Sequence, residues 1–317
     1  MTRRLLSTLP ATLLLAAGCT AEFVGPAPEV LGVSPALTCN DQLITEIIVH
    51  GSALAPMVAS GLDTPELVLP AVELTRVGDL TGLDDGANGA PVRVEQVSVR
   101  WTDAETLAFD VSAELGLADG LYDVTVEAPD GQRATATGVL VAVDAPTLTD
   151  VEPALVCVAQ YDNALTLTGT GFLDVAGTLP GVAIGTASLT AAALDGCVDL
   201  AGPTAGRSCT SASVTLPQSS LADGVHGVVL TNPEPAQCAT VESVVIEAVP
   251  PPAIADLEPG LECVAQEAQS VLVTGAGFLV VEGVLPTVQA GDWTGGADTV
   301  DGCTDTCRAA AARAAPA

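Results

Sequence analysis

From residue 28 to residue 249 the chain alternates apolar and polar positions with period two. VRVEQVSVRW (92–101), TLAFDVSAEL (106–115), GLYDVTVEAP (120–129) and ATATGVLVAV (134–143) do so between Gly, Asp and Pro turns. ALTLTGTGF (164–172), GVAIGTASL (181–189), SASVTLP (211–217), GVHGVVLTNP (224–233) and VESVVIEAV (241–249) continue the pattern. A period of two predicts strands with one buried face. Strands about ten residues apart predict an all-β sandwich or barrel. Helical periodicity is confined to the amino-terminal segment and an Ala-rich tail.

The alternation is itself repeated. VLGVSPALTCNDQLITEIIVHGSAL (30–54), LTDVEPALVCVAQYDNALTLTGTGF (148–172) and IADLEPGLECVAQEAQSVLVTGAGF (254–278) align without a gap, bringing into register Pro35, Pro153 and Pro259, then Cys39, Cys157 and Cys263, then Gly51, Gly169 and Gly275. Successive prolines stand 118 and 106 residues apart, the length of a small domain and not of a solenoid unit. This gives repeat 1 over 28–145, repeat 2 over 146–251 and repeat 3 over 252–317, after a linker at 20–27. Proline marks the seams at Pro26 and Pro28, at Pro146 and at 250–252, and such short, stiff joints predict modules standing in a row and not folded onto one another. Repeat 1 carries about eight extra residues before Pro70, expected to form a loop. Repeat 3 follows repeat 2 through Cys303, then reads TDTCRAAAARAAPA and stops about fifty residues short of it. The expectation is a truncated or frame-shifted third sandwich, with Cys307 out of frame and Cys263 deprived of its mate.

These residues resemble a known family. An opening strand ending in Pro, a second strand closing on GTGF (169–172) or GAGF (275–278), Leu179–Pro180 before a strand with Gly185, and GLYDVTV (120–126) followed by a PDG turn (129–131) are similar to the IPT/TIG domain; TNPEP (231–235) is similar to its N-P-D-G turn. The resemblance implies tandem immunoglobulin-like sandwiches, the third incomplete, and contacts with protein or glycan. Repeat 1 departs from it with HGSAL at 50–54.

The first nineteen residues add a location. Arg3 and Arg4 precede an apolar stretch at 5–17, too short to span a bilayer and ending at Cys19, as in a secretory signal. LLLAAGC (13–19) resembles a bacterial lipobox, which implies cleavage before Cys19 and its acylation as a membrane anchor; Thr20 after it implies the outer membrane. The expected site is the bacterial cell envelope, outer membrane or cell surface. Thirty-nine acids against nine bases, all Arg, give a net charge of −30. Nucleic acid is thereby disfavoured as a partner.

The chemistry-bearing residues read as framework. Besides Cys19 eight cysteines remain, an even set that in an exported chain predicts disulfides. In repeat 2 the favoured pairing joins Cys157 to Cys238, tying first and last strands, and Cys197 to Cys209 across a loop; other pairings of the four stay open. Cys39 lacks an obvious mate in repeat 1. Asp79, Asp84 and Asp85, with Asn88, make the densest oxygen cluster, in GDLTGLDDGANGAP (78–91). They are the candidates for a weak Ca2+ loop, a solvated turn being the other reading, since the spacing is not that of an EF-hand. The only histidines, His50 and His226, lie in different repeats without nucleophile or metal-ligand spacing. Four aromatics, Trp101, Tyr122, Tyr161 and Trp293, are available for glycan stacking. No catalytic residue and no cofactor is expected: the chain reads as a non-enzymatic module for binding or adhesion, alternatively as a surface stalk or as the accessory part of a longer enzyme.

Overall fold

A computed structural model describes residues 25–59, 66–87, 89–241, 244–260 and 270–303. Cys19, Asn88, Cys263 and Cys307 lie outside them.

Repeat 1 contributes β1 (Glu29–Ser34), β2 (Leu37–Cys39), β3 (Thr45–Ser52), β4 (Met57–Ala59), β5 (Glu66–Val68), β6 (Ala71–Gly78), β7 (Val92–Arg93), β8 (Arg100–Trp101), β9 (Thr106–Val111), β10 (Gly120–Glu127) and β11 (Arg133–Val143). Two sheets, ordered β1-β3-β9-β8 and β2-β11-β10-β6-β7, form a sandwich. Repeat 2 follows with β12 (Thr147–Glu152), β13 (Leu155–Val156), β14 (Asn163–Val175), β15 (Gly181–Ile184), β16 (Ala187–Thr190), β17 (Ala193–Asp195), β18 (Val198–Asp199), β19 (Gly206–Leu216), β20 (Gly224–Thr231) and β21 (Val244–Ala248). Its sheets are β12-β14-β19-β17 and β13-β21-β20-β15-β16. The fold is thus all-β, a tandem of immunoglobulin-like sandwiches. In each module the opening segment is shared between the sheets. β1 pairs antiparallel with β3; after Pro35 the chain crosses over and β2 pairs parallel with β11, as β13 does with β21 beyond Pro153. Proline suits that crossing because it has no N–H to give to a ladder.

The register glycines have a shared geometric reason. A Cβ on Gly51 would lie 1.9 Å from Glu29 O, one on Gly169 1.9 Å from Thr147 O and one on Gly275 2.0 Å from Ala253 O. Each therefore lets the opening strand bulge against its neighbour, at Val30/Gly32, Leu148/Asp150 and Ile254/Asp256. Two residues later Gly171 turns with φ +74°, and Phe172 enters the core fully buried beside Leu165, Leu167 and Leu230. In repeat 1 Leu54 takes that place, with Ile47, Val49 and Phe109.

Repeat 3 shows β22 (Ala253–Glu258), β23 (Leu272–Ala276), β24 (Thr287–Ala290) and β25 (Trp293–Gly296). β22 and β23 pair in the register of β12 and β14. Core positions of repeat 2 come out exposed here: Leu148, Val151 and Leu165 are at most 5% exposed, whereas their counterparts Ile254, Leu257 and Val271 are 59%, 44% and 48% exposed.

Two expectations are corrected. The extra residues of repeat 1 include a hairpin, β4 against β5 with Val58 opposite Leu67, because short apolar segments flank them. Repeats 1 and 2, moreover, pack onto one another through a shared buried cluster, where modules standing in a row and not folded onto one another were expected.

Candidate functional site

The most elaborate site is the joint between repeats 1 and 2. Its origin is visible in the strands. β11 alternates until its last four residues, Leu140–Val143, which are all buried, and β14 does the same over its last four. Leu140 and Ala142 face the core of repeat 1, while Val141 and Val143 join a second cluster with Leu37, Leu173, Val175 and Leu200. Loss of alternation is the mark of strands covered on both faces. Each such side chain contributes about 1.5–3 kcal/mol when fully buried.

Polar contacts complete the joint. Gln42 donates through Nε2 to Ala239 O and accepts through Oε1 from Ala239 N, both at 2.7 Å, and Ala201 N donates to Leu80 O at 2.7 Å. The turn after β20 is braced within repeat 2 by Asn232, whose Oδ1 accepts from Leu173 N and whose Nδ2 donates to Gly171 O. On this turn Cys238 bonds to Cys39 of repeat 1, with Cα atoms 5.6 Å apart and a sequence separation of 199. Closing so long a loop contributes roughly 5 kcal/mol in the chain-entropy account.

The expected bridge of Cys157 to Cys238 is therefore overturned, while Cys197–Cys209 forms as expected. The reason is strand direction. Cys157 follows β13, whose partner Ala248 lies opposite Gly224 at the start of β20; Cys238 lies beyond the end of β20 at Thr231. Eight residues of strand put them roughly 20–25 Å apart, far past the reach of a disulfide. Hydrogen bonds do the tying that a disulfide was expected to do, Glu247 N to Ala154 O and Val249 N to Val156 O. Cys157 remains a half-buried free thiol. Cys39's mate was findable: repeat 1 has no second cysteine, so Cys39 had to look outside its module.

The acidic loop does not gather its carboxylates. Asp85 is held bidentate by Arg76 at 2.9 and 2.8 Å and accepts from Ala87 N; that guanidinium first, then the amide, brings its carboxyl down to about 2. Asp79 Oδ1 accepts from Thr81 N, Thr81 Oγ1 and Leu83 N, which lowers its pKa, the Thr81 hydroxyl most. Asp84 accepts from Gly86 N. Each carboxylate serves its own turn.

His50 is exposed on β3, and His226 Nε2 lies 2.8 Å from Ala222 O. Tyr122 is buried, its hydroxyl donating to Ala118 O; exposed Trp101, Tyr161 and Trp293 fall one to a module. The three therefore do not share one module as a stacking platform. A metal-competent trio among the described residues, Cys39, Cys238 and Asp41, is closed by the disulfide itself. Two open grooves flank the joint, one at Asp174, Leu200 and Arg207, the other at Leu43, Asn232 and Gln237. No helix among the described residues is long and apolar enough to cross a membrane.

No protein-family model matches the chain, and no curated protein matches it. Among solved structures it is similar to a Bacteroides ovatus mixed-linkage glucan utilization locus protein, SGBP-B, in complex with a mixed-linkage heptasaccharide (14% identity, TM-score 0.21, covering 64% of this chain and 42% of that one). It is also similar to a titin Ig tandem (11%, 0.21, 70% and 95%) and to murine CEACAM1b (12%, 0.22, 70% and 98%). The chain thus spans less than half of the SGBP-B structure. The fold assignment rests on the strand order given above.

Proposed function

We propose that the chain is an exported, non-enzymatic envelope lipoprotein, anchored through Cys19, whose first two modules act as one rigid arm for binding or adhesion of protein or glycan. The observation that carries the arm is the joint: a disulfide, a buried apolar cluster and three inter-module hydrogen bonds fix one module to the next. Domain interfaces without such links ordinarily leave modules free to swing. The IPT/TIG resemblance of the GTGF and PDG motifs supports the assignment to surface modules, and the lipobox-like LLLAAGC supports the anchor.

A stalk that binds nothing is the second reading, favoured by the openness of both grooves beside the joint. Expression in a bacterial host with labelled palmitate tests the anchor: the label should enter the wild-type chain and be absent from Cys19→Ser, and label retained in that variant would contradict it. Adhesion of the same cells to immobilised protein and glycan surfaces separates the readings, since a mere stalk adds none.

A further inference from the structure

Repeat 1 has two ends, and the joint uses one of them. β11 reaches the joint at Val143, where Gly120 at the start of β10 stands opposite Ala142. At the other end Glu127 stands opposite Arg133, and the turn between them holds Gly25, whose N–H donates to Asp130 Oδ2 at 2.9 Å and whose carbonyl accepts from Gln132 Nε2 at 3.0 Å. The hairpin of β4 and β5 belongs to this same end. It is entered beyond β3, where Leu54 N donates to Ala104 O, and it leads into β6, whose first residue Ala71 stands opposite Glu127.

The hairpin turns apolar side chains to the outside. Val58 stands directly opposite Leu67, and the two are 61% and 58% exposed; the neighbouring pair, Met57 opposite Val68, points to the other side and is half-buried. Beside the base of the hairpin Gln96 Nε2 donates to Leu69 O, and the next residue, Val97, is 88% exposed. The wet face of an antiparallel pair is ordinarily polar, and an apolar one is a liability unless something covers it. Repeat 2 shows what covers the corresponding end. There the connection after β14 is a tight turn, with Val175 bridged to Thr178, and Leu173 and Val175 pack into the joint against repeat 1.

Repeat 1 meets something else at this end. Six residue steps lead from Cys19 to Gly25, a reach of about 20 Å at full extension. That leaves no room for a module, and it holds this end of repeat 1 against the surface in which Cys19 is anchored. We propose that the outer face of the hairpin, Val58 and Leu67 with Val97 beside it, rests on that lipid surface. The inference depends on the anchoring proposed above and adds an orientation to it: the hairpin end faces the bilayer and the joint faces away. With a net charge of −30 the chain suits a zwitterionic surface, and apolar contact has to carry the attachment. Exposed Asp103 and Glu105, near Leu54, stay in water, so the contact is shallow.

The test uses the full lipidated chain, taken from bacterial membranes and reconstituted in vesicles of phosphatidylethanolamine and phosphatidylcholine. Trp101→Phe and Trp293→Phe remove the native indoles, both exposed, and Val58→Trp or Val225→Trp supplies a single new one. Brominated acyl chains should quench the Val58→Trp emission at least twofold and leave that of Val225→Trp, at the far end of repeat 2, unchanged. Should Val58→Trp not fold, Leu67→Trp reads the same face. A chain that floats with the vesicles while its Val58→Trp emission is quenched no more than that of Val225→Trp would overturn the contact and leave the anchor standing. A chain that does not float would remove the anchor, and the inference with it. Emission that moves to the blue as the protein-to-lipid ratio rises, without quenching by bromine, would assign the hairpin to a second copy of the chain and equally overturn the proposal.

Discussion

Ala53 and Asp85 show how single residues settle local structure. Ala53 occupies the place of Gly171 in the repeat register and has φ +56°, a left-handed backbone that costs a residue with a Cβ about 1 kcal/mol. Ala53→Gly should therefore leave stability unchanged or raise it by up to about 0.5 kcal/mol, after the glycine's greater unfolded-state entropy is set against the relief. Urea denaturation followed by near-UV signal checks this. Phe172→Ala, by contrast, removes a fully buried ring and should cost about 3–5 kcal/mol in repeat 2. Asp85 makes a pH prediction. Its folded-state carboxyl is held at about 2 by Arg76, below the ordinary value of 3.8. The contribution is complete above pH about 4 and is lost as pH falls through about 2. Amide exchange at Ala87 should accelerate over that window in the wild type, and Asp85→Asn should show fast exchange already at neutral pH.

At the scale of elements, strand periodicity was legible because alternation states which face is wet. Two of the places where it fails, LVAV at the end of β11 and FLDV at the end of β14, are places where one module meets the next. The sign was present as a short apolar run, continuous in LVAV and broken only by Asp174 in FLDV, but such a run reads equally as an ordinary core strand. Leu173→Ala tests the distinction. It should cost about 2–4 kcal/mol by opening the inter-module cluster, and proteolysis should speed up at the joint while the core bridge Cys197–Cys209 stays intact. The Cys157–Cys238 expectation failed for a comparable reason: position in the chain says which strands are first and last, but not at which end of β20 each cysteine emerges. In the acidic loop, nearness in sequence did not show where each carboxylate turns: Asp85 goes to Arg76, and Asp79 and Asp84 to backbone amides of their own turns.

For the whole molecule, the consequence is that repeats 1 and 2 behave as one unit. Cys39→Ser should lower the shared melting transition and separate it into two, since about 5 kcal/mol of loop closure is lost while each sandwich keeps its own core. Calorimetry distinguishes one transition from two. The architecture itself was open to reading because three gapless segments announce three modules. The mutual orientation of the modules was not, because it depends on a contact between residues 199 apart. The most direct test of the account is a non-reducing peptide map of the thiol-blocked native chain. It should recover one peptide pair joining Cys39 to Cys238, a second joining Cys197 to Cys209, and Cys157 blocked as a free thiol; Cys238 recovered in a pair with Cys157 would contradict the clamped arm.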